Sequence, residues 1–315
     1  MNADIHIQAT KRVRRFFGHF PQVVSARDRM VAAIENPSRG EEPEHLMLLG
    51  DPGTGKSTLL TWISKSYPPK DHEEFTEIPV LYVEVPAACT IKKLAGAMLQ
   101  AIGSPFWNKG TEEDRTFQLR TLLRECRTRV VILDEVNHLV DRGQAKSHEA
   151  VADWIKQLST QSKVAFVLAG IARSRALLEA NDQLADRFRE VLEVRPFGVG
   201  TKDQTAEFAA VMKAFEQAMQ GVKHVDLSAD DVLRPLAFAT AGRLRAIRKL
   251  LVRAIELVAK TSSSGRSAGI DLSILEQAFL EVIFKKAKPE QNPFSPKFRG
   301  TPLIKAGEPF APSSR

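Results

Sequence analysis

Residues 50–57 read Gly50-Asp51-Pro52-Gly53-Thr54-Gly55-Lys56-Ser57, with Thr58 next. An apolar run precedes this octet and a helical pattern follows it. The glycines let the backbone curl so that its N–H groups converge on an anion. A helix that starts there adds partial positive charge. Lys56 then neutralises the β- and γ-phosphates of a nucleoside triphosphate, and Ser57 ligates Mg2+. A second stretch, Val130-Val131-Ile132-Leu133-Asp134-Glu135, runs from four apolar residues into two carboxylates. Asp134 fits the holding of Mg2+, and Glu135 fits the base that activates a water at the γ-phosphate.

These groups need a scaffold that ends several strands at one edge. Short apolar runs supply it at His45–Leu49, Val80–Val85, Val130–Leu133, Val164–Ala169 and Val191–Val194. Apolar on both faces, they predict a parallel sheet covered by helices on both sides. Helical patterns alternate with them at Lys56–Lys65, Ile91–Ile102, Phe117–Arg127, His148–Gln161 and Arg173–Ala180. In such a sheet the carboxyl ends of the strands face the ligand crevice, where both motifs fall. Beyond Pro196 only helical patterns remain, near Asp203–Gln220, Ala229–Thr240, Arg243–Lys260 and Leu272–Lys286. The expected division is a basic segment 1–20, an α/β nucleotide-binding domain 21–200, a small all-helical lid 201–288 and a tail 289–315. Trp62 and Trp154 fall at helical core spacing, whereas Trp107 lies in a loop.

The adjacent Asp134-Glu135 pair narrows the class to an additional-strand P-loop ATPase of the AAA+ kind, with a five-stranded parallel sheet. No guanine-reading Asn-Lys-x-Asp stretch is present, so ATP with Mg2+ is the expected ligand. The segment Asn181–Phe188 resembles the box that carries an arginine finger in such enzymes. Arg187 is the candidate, with Arg189 second. Ala241-Gly242-Arg243-Leu244-Arg245 resembles the sensor 2 pattern, which makes Arg245 the lid's phosphate contact. Many AAA+ enzymes place a polar sensor 1 residue at the tip of the fourth strand. Here that strand ends in Ala169-Gly170-Ile171, leaving Asn137 or Ser174 as substitutes and slow hydrolysis as the expectation.

The formal charge is +7, and its distribution decides how to read it. Residues 1–20 carry +3 and residues 285–315 carry +5, so the body is close to neutral at −1. Six prolines between Pro289 and Pro312, with little apolar periodicity, predict a flexible basic tail. No apolar run of about 18 residues exists, so no membrane span is expected. Met1–Lys11 lacks the apolar core of a secretory leader, which points to the cytoplasm. Cys89 and Cys126 are too few for a disulfide framework or a four-ligand zinc site. His138 lacks metal-ligand spacing.

Taken together, the motifs resemble the TniB family of transposition regulators, relatives of TnsC and more distantly of IstB. The resemblance spans about residues 12–200. It includes Arg15-Phe16-Phe17, Ala26–Met30, Glu35-Asn36-Pro37, the loop at 50–57 and Leu133–Leu139. It closes with His148–Leu158, Val167–Gly170 and Gln183–Phe188. Absence of a polar sensor 1 residue is similar to family members. The resemblance implies a bacterial, nucleoid-associated ATPase that, like MuB, assembles with ATP as a ring or filament around duplex DNA. It implies engagement of a TniQ-type targeting protein, recruitment of a transposase, and disassembly on hydrolysis. Sequence-independent DNA contact needs only inward-facing donors. The candidates are Lys109, Thr111 and Arg115 in one loop, and Arg142 and Lys146 in another. A helicase loader of the IstB and DnaC kind, or a nucleotide-gated adaptor without meaningful turnover, are the alternatives.

Overall fold

The computed structural model describes residues 2–16, 20–35, 43–141, 145–188, 190–263 and 269–312. It comprises two compact units. One contains Pro21–Asp51 and Lys56–Val194, and the other contains the residues up to Phe20, Pro52–Gly55 and the chain from Arg195 onward.

The first unit is built from helix α2 (Pro21–Glu35), strand β1 (Leu46–Gly50), α3 (Lys56–Ser66), a short hairpin of β2 (Lys70–Asp71) and β3 (Thr76–Glu77), β4 (Val80–Glu84), α4 (Ile91–Ile102) and α5 (Glu112–Glu125). It continues through β5 (Val130–Asp134), α6 (Asn137–Val140), α7 (Ala145–Ser162), β6 (Ala165–Gly170), a 3-10 turn (Ala172–Arg175), α8 (Ala176–Glu179), α9 (Asp182–Ala185) and β7 (Glu190–Val194). The sheet order is β4-β5-β6-β1-β7, all parallel. Every residue of β5 and β6 is buried, the signature of a sheet covered on both faces. Strand β6 therefore inserts between β1, which leads to the glycine-rich loop, and β5, which ends in Asp134. Local signals set the helix ends. Thr90 caps α4 and Gly103 closes it at φ 89°. Thr111 and Asp114 form a reciprocal capping box on α5.

The second unit holds α1 (Asn2–Arg15), α10 (Lys202–Ala218), α11 (Asp230–Thr240), α12 (Leu244–Ser263) and α13 (Leu272–Val282). Helix α1 is more than a basic segment. It buries Ala9 and Val13, and Arg12 donates to the carbonyls of Ala218 and Gln220 at the end of α10 (2.8 and 2.7 Å). Phe16, Phe20, Phe197, Phe208 and Phe215 form an aromatic cluster beside it.

Two expectations are corrected. Residues 289–312 are not a flexible tail: Leu303 and Phe310 are buried, and Phe294 and Phe298 pack against Phe279 and Phe238. Asn292 donates to Glu276 (2.6 Å), and Arg243 lies over the Phe310 ring. An extended segment anchored by single, widely spaced aromatic residues leaves no periodicity to read. Trp154 is buried, its indole N–H donating to Thr116, but Trp62 is 37% exposed rather than a core residue. Among the described residues, no helix is long and apolar enough to cross a membrane.

Candidate functional site

In the α/β unit, β1 delivers Gly50 and Asp51 to the carboxyl edge of the sheet, and α3 begins with Lys56, Ser57 and Thr58. Lys56 is buried, and its ammonium donates to the carbonyls of Gly50 (2.6 Å) and Asp51 (3.1 Å). A lysine taken out of water and fixed by its own loop is placed before any ligand arrives. The intervening Pro52-Gly53-Thr54-Gly55 needs its glycines. Gly53 and Gly55 have φ of 86° and 110°, open to glycine and strained for other residues.

Strand β5 ends at Asp134, which is 1% exposed. Its Oδ1 accepts from the backbone N–H of Glu135 (2.9 Å) and its Oδ2 from the Tyr82 hydroxyl on β4 (3.0 Å). Both oxygens are thus oriented. Burial first, then the Asp134 charge, push the Tyr82 phenol far above its ordinary value, so it stays a donor. Thr61 on α3 acts on the phenol in the opposite sense and lowers it, the weakest of these influences. Glu135 adopts φ 57°, rare for a residue with a side chain. Such strain costs roughly 1–3 kcal/mol and collects at functional sites. Its neighbours hold it: Val136 N–H donates to Ala169 of β6, and Val85 N–H to Asp134 (both 2.9 Å).

Lys56, Ser57, Asp134 and Glu135 all stand at the carboxyl edge of the sheet. Arg187 does not. It follows α9, near the amino edge, where Glu190 pairs with Leu46. Its guanidinium donates to Thr160 (2.6 Å) and to the Lys156 carbonyl (3.2 Å) on α7. The nearby His45 imidazole is lowered to about 4, first by burial and then by the Arg187 charge. Its Nδ1 accepts from Phe166 N–H, so Nε2 carries the proton donated to Ser159. Arg189 lies outside the described residues.

In the helical unit, Ala241 and Gly242 take consecutive left-handed conformations ahead of α12. A side chain at Gly242 would fall 1.7 Å from the Phe197 carbonyl oxygen, so only glycine fits. The turn sets Arg245, whose backbone N–H donates to Gly53 (3.0 Å). Its side chain is exposed.

Of the DNA candidates, Thr111 spends its hydroxyl on the α5 cap. Arg115 closes the preceding loop by donating to the carbonyls of Lys92, Asn108 and Lys109. Lys109 sits over the exposed Phe106 ring. Arg142 lies outside the described residues, as does the side chain of Lys146. Sequence reasoning missed Tyr82, because nothing in its spacing marks it; only strand register brings it beside β5.

The donor set fits a nucleoside triphosphate with Mg2+. Positive-φ glycines in the loop, a buried lysine and a buried carboxylate with both oxygens oriented are what a polyphosphate and a hard cation require. The family described as bacterial TniB protein matches residues 9–197. Among solved structures, Cdc6p from Pyrobaculum aerophilum superposes with a TM-score of 0.59 at 19% identity, covering 87% of this chain and 70% of that one. The Aeropyrum pernix ORC1 protein in complex with DNA gives 0.54 at 18%, covering 82% and 64%. Drosophila ORC bound to DNA gives 0.54 at 14%, covering 90% and 66%. The chain therefore spans about two thirds of the length of these proteins. At such identities the likeness shows the fold alone, a parallel five-stranded sheet flanked by helices and followed by a helical region. No curated protein sequence matches the chain significantly.

Proposed function

The chain belongs to the TniB family, and from that premise we propose that this transposition-associated AAA+ protein is an ATPase that assembles on duplex DNA. In this reading it engages a TniQ-type targeting protein and recruits a transposase, and hydrolysis disassembles it. The observation that supports it most is the clustering of Lys56, Ser57, Asp134 and Glu135 at one edge of a sheet in which β6 separates their strands.

Lys56 and the loop N–H groups bind the phosphates, and Ser57 with Asp134 would hold Mg2+. That ion would supply positive charge to offset the charge on the phosphates. Glu135 takes a proton from water as the water oxygen bonds to the γ-phosphorus. The bond from that phosphorus to the β–γ bridging oxygen breaks, giving ADP and phosphate. Arg187, remote from its own chain's Lys56, acts on a neighbouring copy, where it stabilises charge on the transferring group. Arg245, whose backbone N–H donates to Gly53 within the same compact unit, contacts the phosphates. Lys109, Thr111, Arg115, Arg142 and Lys146 remain the proposed DNA contacts, with Arg115 and Thr111 shaping their loop. The test is ATP turnover with and without duplex DNA. DNA-stimulated turnover lost in Glu135→Gln supports the mechanism; nucleotide binding with no turnover in either protein would make the chain a nucleotide-gated adaptor.

A further inference from the structure

A cavity of about 500 Å³ lies at the amino edge of the sheet in the α/β unit, where β4, β5 and β6 begin. Small-molecule sites typically occupy about 300–1,000 Å³. It is separate from the loop at 50–57: from Arg129 on its wall to Asp134 at the opposite edge the chain runs roughly 16 Å of extended strand. Arg124, Arg127, Arg129 and Lys163 line the cavity against one carboxylate, Glu77. Glu77 is already paired. Its Oε1 accepts from Arg129 (3.1 Å), and its Oε2 lies 3.5 Å from His72 Nε2. Among the described residues, Arg124, Arg127 and Lys163 pair with no carboxylate, so three positive charges on this wall are uncompensated.

Two of these heads are fixed before any ligand arrives. The Arg127 guanidinium lies over the Phe75 ring, 4.2 Å from its centroid, and that ring stacks on His72. Arg129 also donates to the Ile34 carbonyl (3.2 Å). Such preorganisation lowers the entropy cost of binding. Arg127 and Lys163 also take left-handed backbone, at φ 49° and 57°, just after α5 and α7. After α4 the same place belongs to Gly103, which adopts it freely, whereas a residue with a side chain does so under strain. Helix carboxyl ends attract cations, but any basic residue in the last turn meets that demand without a strained position.

We propose that this cavity is a second anion site, which takes a compact phosphate-bearing small molecule with two or more negative charges. Arg124, Arg127 and Lys163 balance those charges, and the planar guanidinium forks match paired phosphate oxygens. A duplex presents its phosphates on a convex rod, which suits an open groove better than a recess at helix ends. Inorganic pyrophosphate is the probe, titrated calorimetrically into full-length Lys56→Ala so that the loop at 50–57 lacks its lysine. That protein should bind pyrophosphate more tightly than sulfate at equal ionic strength. Adding Arg124→Gln with Lys163→Gln should weaken binding at least tenfold. Both side chains are exposed, so the melting temperature without anion should stay level. The charge-conserving pair Arg124→Lys with Lys163→Arg should bind within threefold of Lys56→Ala. Pyrophosphate binding no tighter than sulfate overturns the inference. So does equal affinity in the glutamine variant, which places the anion elsewhere, or a lower melting temperature in both paired variants, which marks a structural role. A short duplex that displaces pyrophosphate, and binds less tightly in the glutamine variant, makes the cavity part of a nucleic-acid surface and overturns it too.

Discussion

Tyr82→Phe deletes one oxygen and tests how the acidic strand is held. The hydroxyl donates to Asp134 Oδ2 at 3.0 Å, so the substitution leaves a buried charged acceptor without that donor. A hydrogen bond to a charged acceptor contributes about 1.5–3 kcal/mol. Because Tyr82 is only half-buried, the lower end applies. About 1.5 kcal/mol corresponds to a fall of roughly 3–6 °C in melting temperature for a domain of 150–250 residues. The functional effect should be larger. Partners that orient a metal-holding carboxylate typically change metal affinity by about 10–100-fold. Titrating Mg2+ against binding of a fluorescent ATP analogue should show half-saturation rising by at least tenfold, with metal-free nucleotide affinity unchanged. The phenol's raised value adds a pH signature. The folded protein resists losing this proton, so the stabilisation is complete below the ordinary tyrosine value of about 10 and fades as pH rises above it. Tyr82→Phe should lack that part of the alkaline loss. An unchanged Mg2+ titration together with an unchanged melting temperature would refute the positioning role.

Three further outcomes follow from the same geometry. His45 is neutral at pH 7 and lowered to about 4, so stability should fall as pH drops from about 6.5 towards 4, by about 3 kcal/mol at most; His45→Gln should flatten that slope in denaturant titrations, and an identical slope counts against it. If Arg187 completes a neighbour's site, Arg187→Ala and Glu135→Gln should each lose at least a hundredfold in turnover yet regain activity when mixed, whereas no recovery on mixing removes the trans assignment. Ending the chain at Lys288 should destabilise the helical unit, since burial of Leu303 and Phe310 contributes about 3–6 kcal/mol as an upper bound; unchanged calorimetric melting would restore the picture of a detached tail.

What sequence made legible followed from how strongly each feature is patterned. Strands β1, β5 and β6 sit within one residue of their apolar runs, because a strand buried on both faces must be continuously apolar. Helix α4 matches its pattern from Ile91 to Ile102, where Thr90 and Gly103 mark both ends. The glycine-rich loop and the Asp134-Glu135 pair carry their chemistry in adjacent residues, so no tertiary knowledge is needed to find them. Helix α1 escaped because it buries little beyond Ala9 and Val13, and its arginines mask that face. The residues after Pro289 escaped because isolated aromatic anchors have no period. Tyr82 depends on a contact across strands, which no linear spacing encodes.

The central claim is that ATP held by the loop at 50–57 drives assembly on DNA. Electron microscopy of the full chain with duplex DNA and a non-hydrolysable ATP analogue tests it most directly, with Lys56→Ala alongside. The account predicts ordered rings or filaments on DNA for wild type with the analogue, and none without nucleotide or in Lys56→Ala. Equivalent assemblies on DNA in the absence of nucleotide, or in Lys56→Ala, would contradict it.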